Sequence, residues 1–191
     1  MAQTGLTFSH GQYDNERFKR LMAIAAEITS LHTLLSEDEI LKDFCMQSGY
    51  ATPKVDVRAA IVQDGKILLV KERSDQCWCM PGGWADVGDV PSQAAIREVR
   101  EESGFNVVAK RVIGVYDANR SGRPMEFYHA VKLVYFCEII GGEATTSHET
   151  SAVEFFDFDH LPTLSINRTN EKHIRHARAF AEDIHHDTFF D

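Results

Sequence analysis

Residues 83–105 run Gly83-Trp84-Ala85-Asp86-Val87-Gly88-Asp89, then Val90-Pro91-Ser92-Gln93-Ala94-Ala95-Ile96, then Arg97-Glu98-Val99-Arg100-Glu101-Glu102-Ser103-Gly104-Phe105. The later part reads as a helix with marked ends: Pro91 suits a first helical position, where its missing N–H costs nothing, and Gly104 suits the residue just past the last turn. On that helix Glu98, Glu101 and Glu102 stand at i, i+3 and i+4 and share a face, while Ile96 and Val99 point the other way, into a core. Carboxylates roughly 6 Å apart at an effective dielectric near 20 repel by about 3 kcal/mol a pair. A hard cation removes that cost. An oxygen-only donor set suits Mg²⁺ or Mn²⁺ better than Zn²⁺, which prefers His or Cys. Arg97, four residues before Glu101, is placed to orient that carboxylate and screen the cluster. A bare glutamate triplet also has a plain reading as a solvated acidic face, so its surroundings must decide.

Upstream, Val55–Val62 and Lys66–Val70 alternate as strands around Asp64-Gly65, the sign of a hairpin. Pro81-Gly82-Gly83 then breaks the pattern. Downstream, strands are expected over Phe105–Tyr116, Phe127–Ile140 and Val153–Phe156, and a closing helix over about Asn170–Ile184. Before residue 50 the periodicity is helical: Phe18, Leu21, Met22, Ile24, Ala25 and Ile28 mark one amphipathic helix, and a second starts at the capping-box pattern Ser36-Glu37-Asp38-Glu39. Tyr50–Lys54 reads as a linker. Two domains follow: a helical unit over 1–50 and a larger unit over 54–191, of α/β (α+β) class with a mixed sheet. Two such helices make too small a core alone, so dimerisation through residues 1–50 is expected.

The 191 residues carry 20 Lys and Arg against 29 Asp and Glu, a formal charge of −9, which argues against a surface that tracks a nucleic-acid backbone. No apolar stretch is long enough to span a bilayer, and Met1–His10 lacks the form of a signal peptide, so a soluble, cytoplasmic protein is expected. Cys45, Cys77, Cys79 and Cys137 are accordingly read as reduced thiols, with Cys77 and Cys79 packing side by side on one strand face.

The spacing around the glutamates settles their reading. Five residues separate Gly83 from Asp89 and seven separate Asp89 from Arg97; Arg97-Glu98-Val99, Glu101-Glu102 and Gly104-Phe105 follow. This is similar to the Nudix box, with Asp89 where the family has glutamate, a departure that bears on loop geometry more than on metal. The stretches Ala2–Phe8, Gly49–Arg58 and Pro81–Gly88 resemble a bacterial Nudix subfamily with an N-terminal helical domain, which includes CDP-choline and ADP-ribose pyrophosphatases. The resemblance implies an α/β/α sandwich, a Mg²⁺- or Mn²⁺-dependent enzyme and hydrolysis of a diphosphate bond in a nucleoside diphosphate derivative, giving two monophosphates. It implies Glu98, Glu101 and Glu102 as metal ligands, with the Gly83 carbonyl as a further one.

The general base is either Glu102 or Glu149, the latter in Ser147-His148-Glu149-Thr150 five residues before Glu154. Arg58, Lys71 and Arg73 are candidates to meet phosphates, and Trp84, Phe127 and Tyr128 to stack a base, with His129 and Lys132 weaker. Pro124 lies 124 − 105 = 19 residues past Phe105, further than ADP-ribose-specific relatives place their proline. CDP-choline, another CDP-alcohol or a nucleotide sugar is therefore favoured, with ADP-ribose next. Two other functions stay open: a nucleotide-binding sensor that does not cleave its ligand, and a pyrophosphohydrolase of oxidised nucleoside triphosphates or RNA 5′ ends.

Overall fold

A computed structural model describes residues 1–46, 49–119 and 129–191. The chain divides into two compact units, Met1–Thr52 and Pro53–Asp191. The first holds α1 (Ala2–Phe8), α2 (Gln12–Ser30) and α3 (Glu37–Met46). In α2 the buried positions are Met22 and Ala26, while Leu21, Ile24 and Ile28 remain exposed, as does Leu31 just past its end. The expected capping box forms ahead of α3: the Ser36 hydroxyl and amide both donate to the Glu39 carboxylate, and the Glu39 amide donates back to Ser36 Oγ. Helix α1 escapes a reading by periodicity because it has no buried residue. It exists by packing on α2, where a Cβ at Gly5 would lie 2.4 Å from the Phe18 ring.

The second unit contains β1 (Lys54–Gln63), β2 (Lys66–Glu72), β3 (Trp78–Cys79), α4 (Pro91–Ser103), β4 (Phe105–Asp117), β5 (Ala130–Gly142), β6 (Thr150–Asp157), α5 (Glu171–Glu182) and β7 (Phe189–Phe190). The strands form one mixed sheet in the order β3-β2-β1-β5-β4-β7, with β6 paired to β2. The β1–β2 hairpin turns through Asp64 at φ 51° and Gly65 at φ 74°, the two left-handed positions of a tight primed turn. Central β1 runs parallel to β5 and is buried from Asp56 to Ile61. Alternation along it sends Val57, Ala59 and Ile61 towards α4, where Ala94, Ala95 and Val99 join them, and Ala60 towards Ile174, Ala177 and Phe180 of α5. Helix, sheet and helix thus form the expected three layers. Full burial of Val99 alone stabilises this arrangement by about 2 kcal/mol.

Sequence periodicity does not reveal β7. Two phenylalanines carry no period, and the strand forms because the chain end pairs in parallel with Gly114 and Val115 of β4. No helix among the described residues is long and apolar enough to cross a membrane.

Candidate active site

The site begins where β1 still has a free edge. Between β3 and α4 the chain lies along that edge as an antiparallel strip: Ala59 N–H donates to Pro81 O at 2.9 Å, Val57 N–H to Gly83 O at 2.8 Å, and Ala85 N–H to Val55 O at 2.9 Å. Gly82 has φ +142°, and a Cβ there would lie 2.0 Å from the Val57 carbonyl oxygen, so only glycine allows the contact. The Gly82 amide, turned off the ladder, donates to Glu102 Oε2 at 2.9 Å. A Cβ at Gly83 would come within 3.2 Å of Glu98 Oε2, so this strip forms a close backbone wall beside the acidic face of α4.

The three glutamates of that face have different surroundings. Glu102 is buried, and burial pushes its carboxyl up to about 8 against the opposing pull of Arg58 and the Gly82 amide. Glu98 is half-buried and also raised by burial, against the pull of Arg97. Glu101 is exposed. Two desolvated carboxylates on one helix face, with the Gly83 backbone close to Glu98, form an all-oxygen donor set that fits a hard divalent cation. Among the described residues no three acid, histidine or cysteine side chains are gathered closely enough to hold a metal ion by themselves. Glu98 is turned instead to Arg97 at 3.1 Å, and Glu102 to the Gly82 amide.

Arg97 departs from its expected partner. It reaches Glu98 and, at 2.9 Å, Asp89, rather than Glu101 one turn on. Asp89 also accepts the Asp86 amide at 3.1 Å, and these two bonds hold its carboxyl below the usual range. The aspartate thus performs the loop-bracing role expected at this position, with Arg97 linking the loop to the first acid of the helix.

Arg58 requires correction as a phosphate contact. It is 5% exposed, its Nε donates to Asp56 at 3.0 Å and its Nη1 to the Met80 carbonyl at 3.3 Å. Burial works against its charge, but Asp56, Cys79, Glu102 and Glu72 more than offset that and hold it cationic. It is an internal counter-charge. Lys132 shares this fate: 1% exposed and opposite Asp56 in the β1–β5 register, it donates to Asp56 at 3.0 Å, to the Asn167 carbonyl at 3.1 Å and to the Arg168 carbonyl. Arg73 is exposed but spends its guanidinium on the Ser147 carbonyl. Lys71 is half-buried on β2, and Trp84 is 46% exposed on the strip. His129 lies 3.2 Å from Asp117. Phe127, Tyr128 and Pro124 lie outside the described residues. Cys79 is buried against Glu72, whereas Cys77 precedes β3 and is half-buried, so the two thiols do not pack as an equivalent pair.

Glu149 is exposed beside His148 at 3.2 Å, on a turn tied to α4 through the Thr150 hydroxyl, which donates to the Glu102 carbonyl at 2.7 Å. Sequence reading missed Thr150 and the internal Asp56–Arg58–Lys132 group. The polar positions 56 and 58 on an otherwise apolar central strand were the available signal.

A mixed sheet between two helices, with a glycine strip facing a Glu98–Glu101–Glu102 helix, defines a Nudix hydrolase. The comparisons agree: the NUDIX domain profile matches residues 52–179. The chain belongs to the Nudix family and is a pyrophosphatase-type hydrolase. A second profile, the UDP-X-like N-terminal oligomerisation domain, matches residues 1–44. The Bacillus subtilis protein YjhB is 34% identical over 192 residues, covering 100% of this chain and 92% of its own length. An ADP-ribose pyrophosphatase of Methanocaldococcus jannaschii is 34% identical over 66% of this chain and 73% of its own. Among solved structures, a UDP-X diphosphatase superposes with TM-score 0.68 at 32% identity, covering 100% of this chain and 92% of that one. An ADP-ribose pyrophosphatase from Streptococcus suis gives 0.67 at 36% identity, over 73% and 100%.

Proposed function

We infer that the chain hydrolyses the diphosphate bond of a nucleoside diphosphate derivative in the presence of Mg²⁺ or Mn²⁺, releasing two monophosphates. The observation that carries this is the acidic face of α4: Glu98, Glu101 and the buried Glu102 are the groups that would hold the cation, with the Gly83 carbonyl as a further ligand. The Gly83 oxygen already accepts the Val57 amide but has a second lone pair. A bound divalent cation supplies neutralisation of diphosphate charge and polarises water. Arg97 keeps Glu98 and the Asp86–Asp89 loop in register. Glu149 takes the proton from the attacking water, since it is exposed to solvent, whereas one oxygen of Glu102 is committed to an amide inside the protein. Trp84, partly exposed, is the ring that would stack a base.

The names of the relatives favour ADP-ribose or a UDP-linked derivative over CDP-choline. The test is product analysis with each: two monophosphates formed only with added Mg²⁺ or Mn²⁺ support the assignment, and release of inorganic phosphate or pyrophosphate from nucleoside triphosphates as the main activity contradicts it. The first unit acts as a dimerisation domain, a role supported by the exposed Leu21, Ile24, Ile28 and Leu31 and by the matched oligomerisation profile.

A further inference from the structure

The last turn of α4 ends in carbonyls with no partner in their own helix, and the segment ahead of β6 supplies them. The Thr145 amide donates to the Ser103 carbonyl at 2.9 Å, and the Thr150 hydroxyl donates to the Glu102 carbonyl at 2.7 Å. Gly104 makes the approach possible: at φ +77°, a Cβ there would lie 2.5 Å from the Glu143 carbonyl oxygen. Thr150 is wholly buried, and its hydroxyl does two jobs, because it also accepts the Ser147 amide at 3.1 Å. Ser147 Oγ in turn accepts the amides of Glu149 and Thr150, each at 3.1 Å. Arg73, just past β2, closes the turn, its amide donating to the Glu149 carbonyl at 2.8 Å and its side chain to that of Ser147. The turn that carries Glu149 is thus braced by Ser147 and Arg73, and one buried hydroxyl, that of Thr150, ties it to the residue that bears the innermost acid of α4.

We propose that Thr150 is a positioning residue: it locks the Ser147–Thr150 turn to the end of α4 and so fixes Glu149 relative to the Glu98–Glu101–Glu102 face. The inference rests on the reading of Glu149 as the acid that activates water. Its content is geometric: a proton acceptor on an exposed turn is useful only if the turn keeps register with the groups that hold the diphosphate, and a displacement of about 1 Å can cost on the order of 100-fold in rate.

The test compares Thr150→Val, which keeps shape and removes the hydroxyl, with Thr150→Ser, which restores it. Thr150→Val is expected to lower kcat by roughly 10- to 100-fold with KM little changed, and Thr150→Ser to return near the wild-type value. Hydrogen exchange supplies a readout independent of turnover: in cation-free Thr150→Val the amides of Arg73, Glu149 and Thr150 exchange faster while those of β1 keep their protection. Wild-type kcat in Thr150→Val, or unchanged exchange at those three amides, overturns the proposal. If Thr150→Val does not fold, Thr150→Ala replaces it, since it also removes the hydroxyl that reaches the Glu102 carbonyl; a full kcat there overturns the proposal equally. Glu149→Gln is measured alongside: full turnover means that the reading of Glu149 has failed and the inference falls with it, whereas a dead Glu149→Gln with a fully active Thr150→Val sinks the positioning role alone.

Discussion

At the scale of single residues, the protein keeps ionisable groups in places that cost free energy unless something compensates for them. Glu102 is the clearest. Burial raises its carboxyl to about 8 from an ordinary 4.5, so the folded protein favours the protonated form. The stabilisation linked to that proton is complete below 4.5 and is lost as pH rises through about 8. In cation-free buffer the melting temperature of the wild type should therefore fall between about pH 5 and 8 more steeply than that of Glu102→Gln; parallel slopes would show that the buried carboxyl does not govern this window. Glu101 differs because it is exposed, and replacing it should leave folding intact. Glu101→Gln is expected to lower turnover by roughly 100-fold or more with a melting temperature close to wild type, measured by product formation and calorimetry side by side. The residue scale is also where sequence misleads most. Arg58 and Lys132 have the charge expected of phosphate contacts, but only the β1–β5 register shows that Lys132 faces Asp56 and that both cations point inward. Spacing likewise suggested Glu101 for Arg97, whereas its partners come from the loop before the helix and from the adjacent Glu98.

At the scale of elements, most of the site is a local construction, and that part was legible. Pro91, the i, i+3, i+4 glutamates and the capping Gly104 belong to one helix and its end, and these depend on neighbours in sequence. The turn at Asp64-Gly65 and the capping box at Ser36 were visible for the same reason. The strip Pro81–Ala85 was only half legible: two glycines announce a break, but not that the backbone will lie against β1 with no room for a side chain. Gly82→Ala tests this directly, since a methyl group 2.0 Å from the Val57 oxygen cannot be accommodated without moving β1 or α4. The variant should lose about 3 kcal/mol or more, read as a shift in the denaturation midpoint, and a near-neutral change would mean that the strip is loosely held. Helix α1 and strand β7 were illegible because neither has a periodic pattern; each forms through contacts with another element, the following helix α2 in one case and the distant strand β4 in the other.

At the scale of the whole molecule, the proposed roles divide between the two units. The second unit contains every group assigned to hydrolysis, and the first presents apolar side chains that a monomer leaves in water. Light scattering at micromolar concentration should give twice the 21.6 kDa chain mass, and Leu21→Glu combined with Ile28→Glu should shift it to the monomer; a wild-type monomer would remove the dimerisation role from residues 1–50. The central claim concerns the second unit, and one measurement tests it most directly: product release from ADP-ribose, a UDP-linked derivative and CDP-choline, with and without Mg²⁺, for wild type and Glu101→Gln. Two monophosphates from at least one of these substrates, formed only with the cation and largely lost in Glu101→Gln, is the predicted result. Equal turnover after chelation or in the variant, or tight nucleotide binding with no cleavage by the wild type, would contradict it.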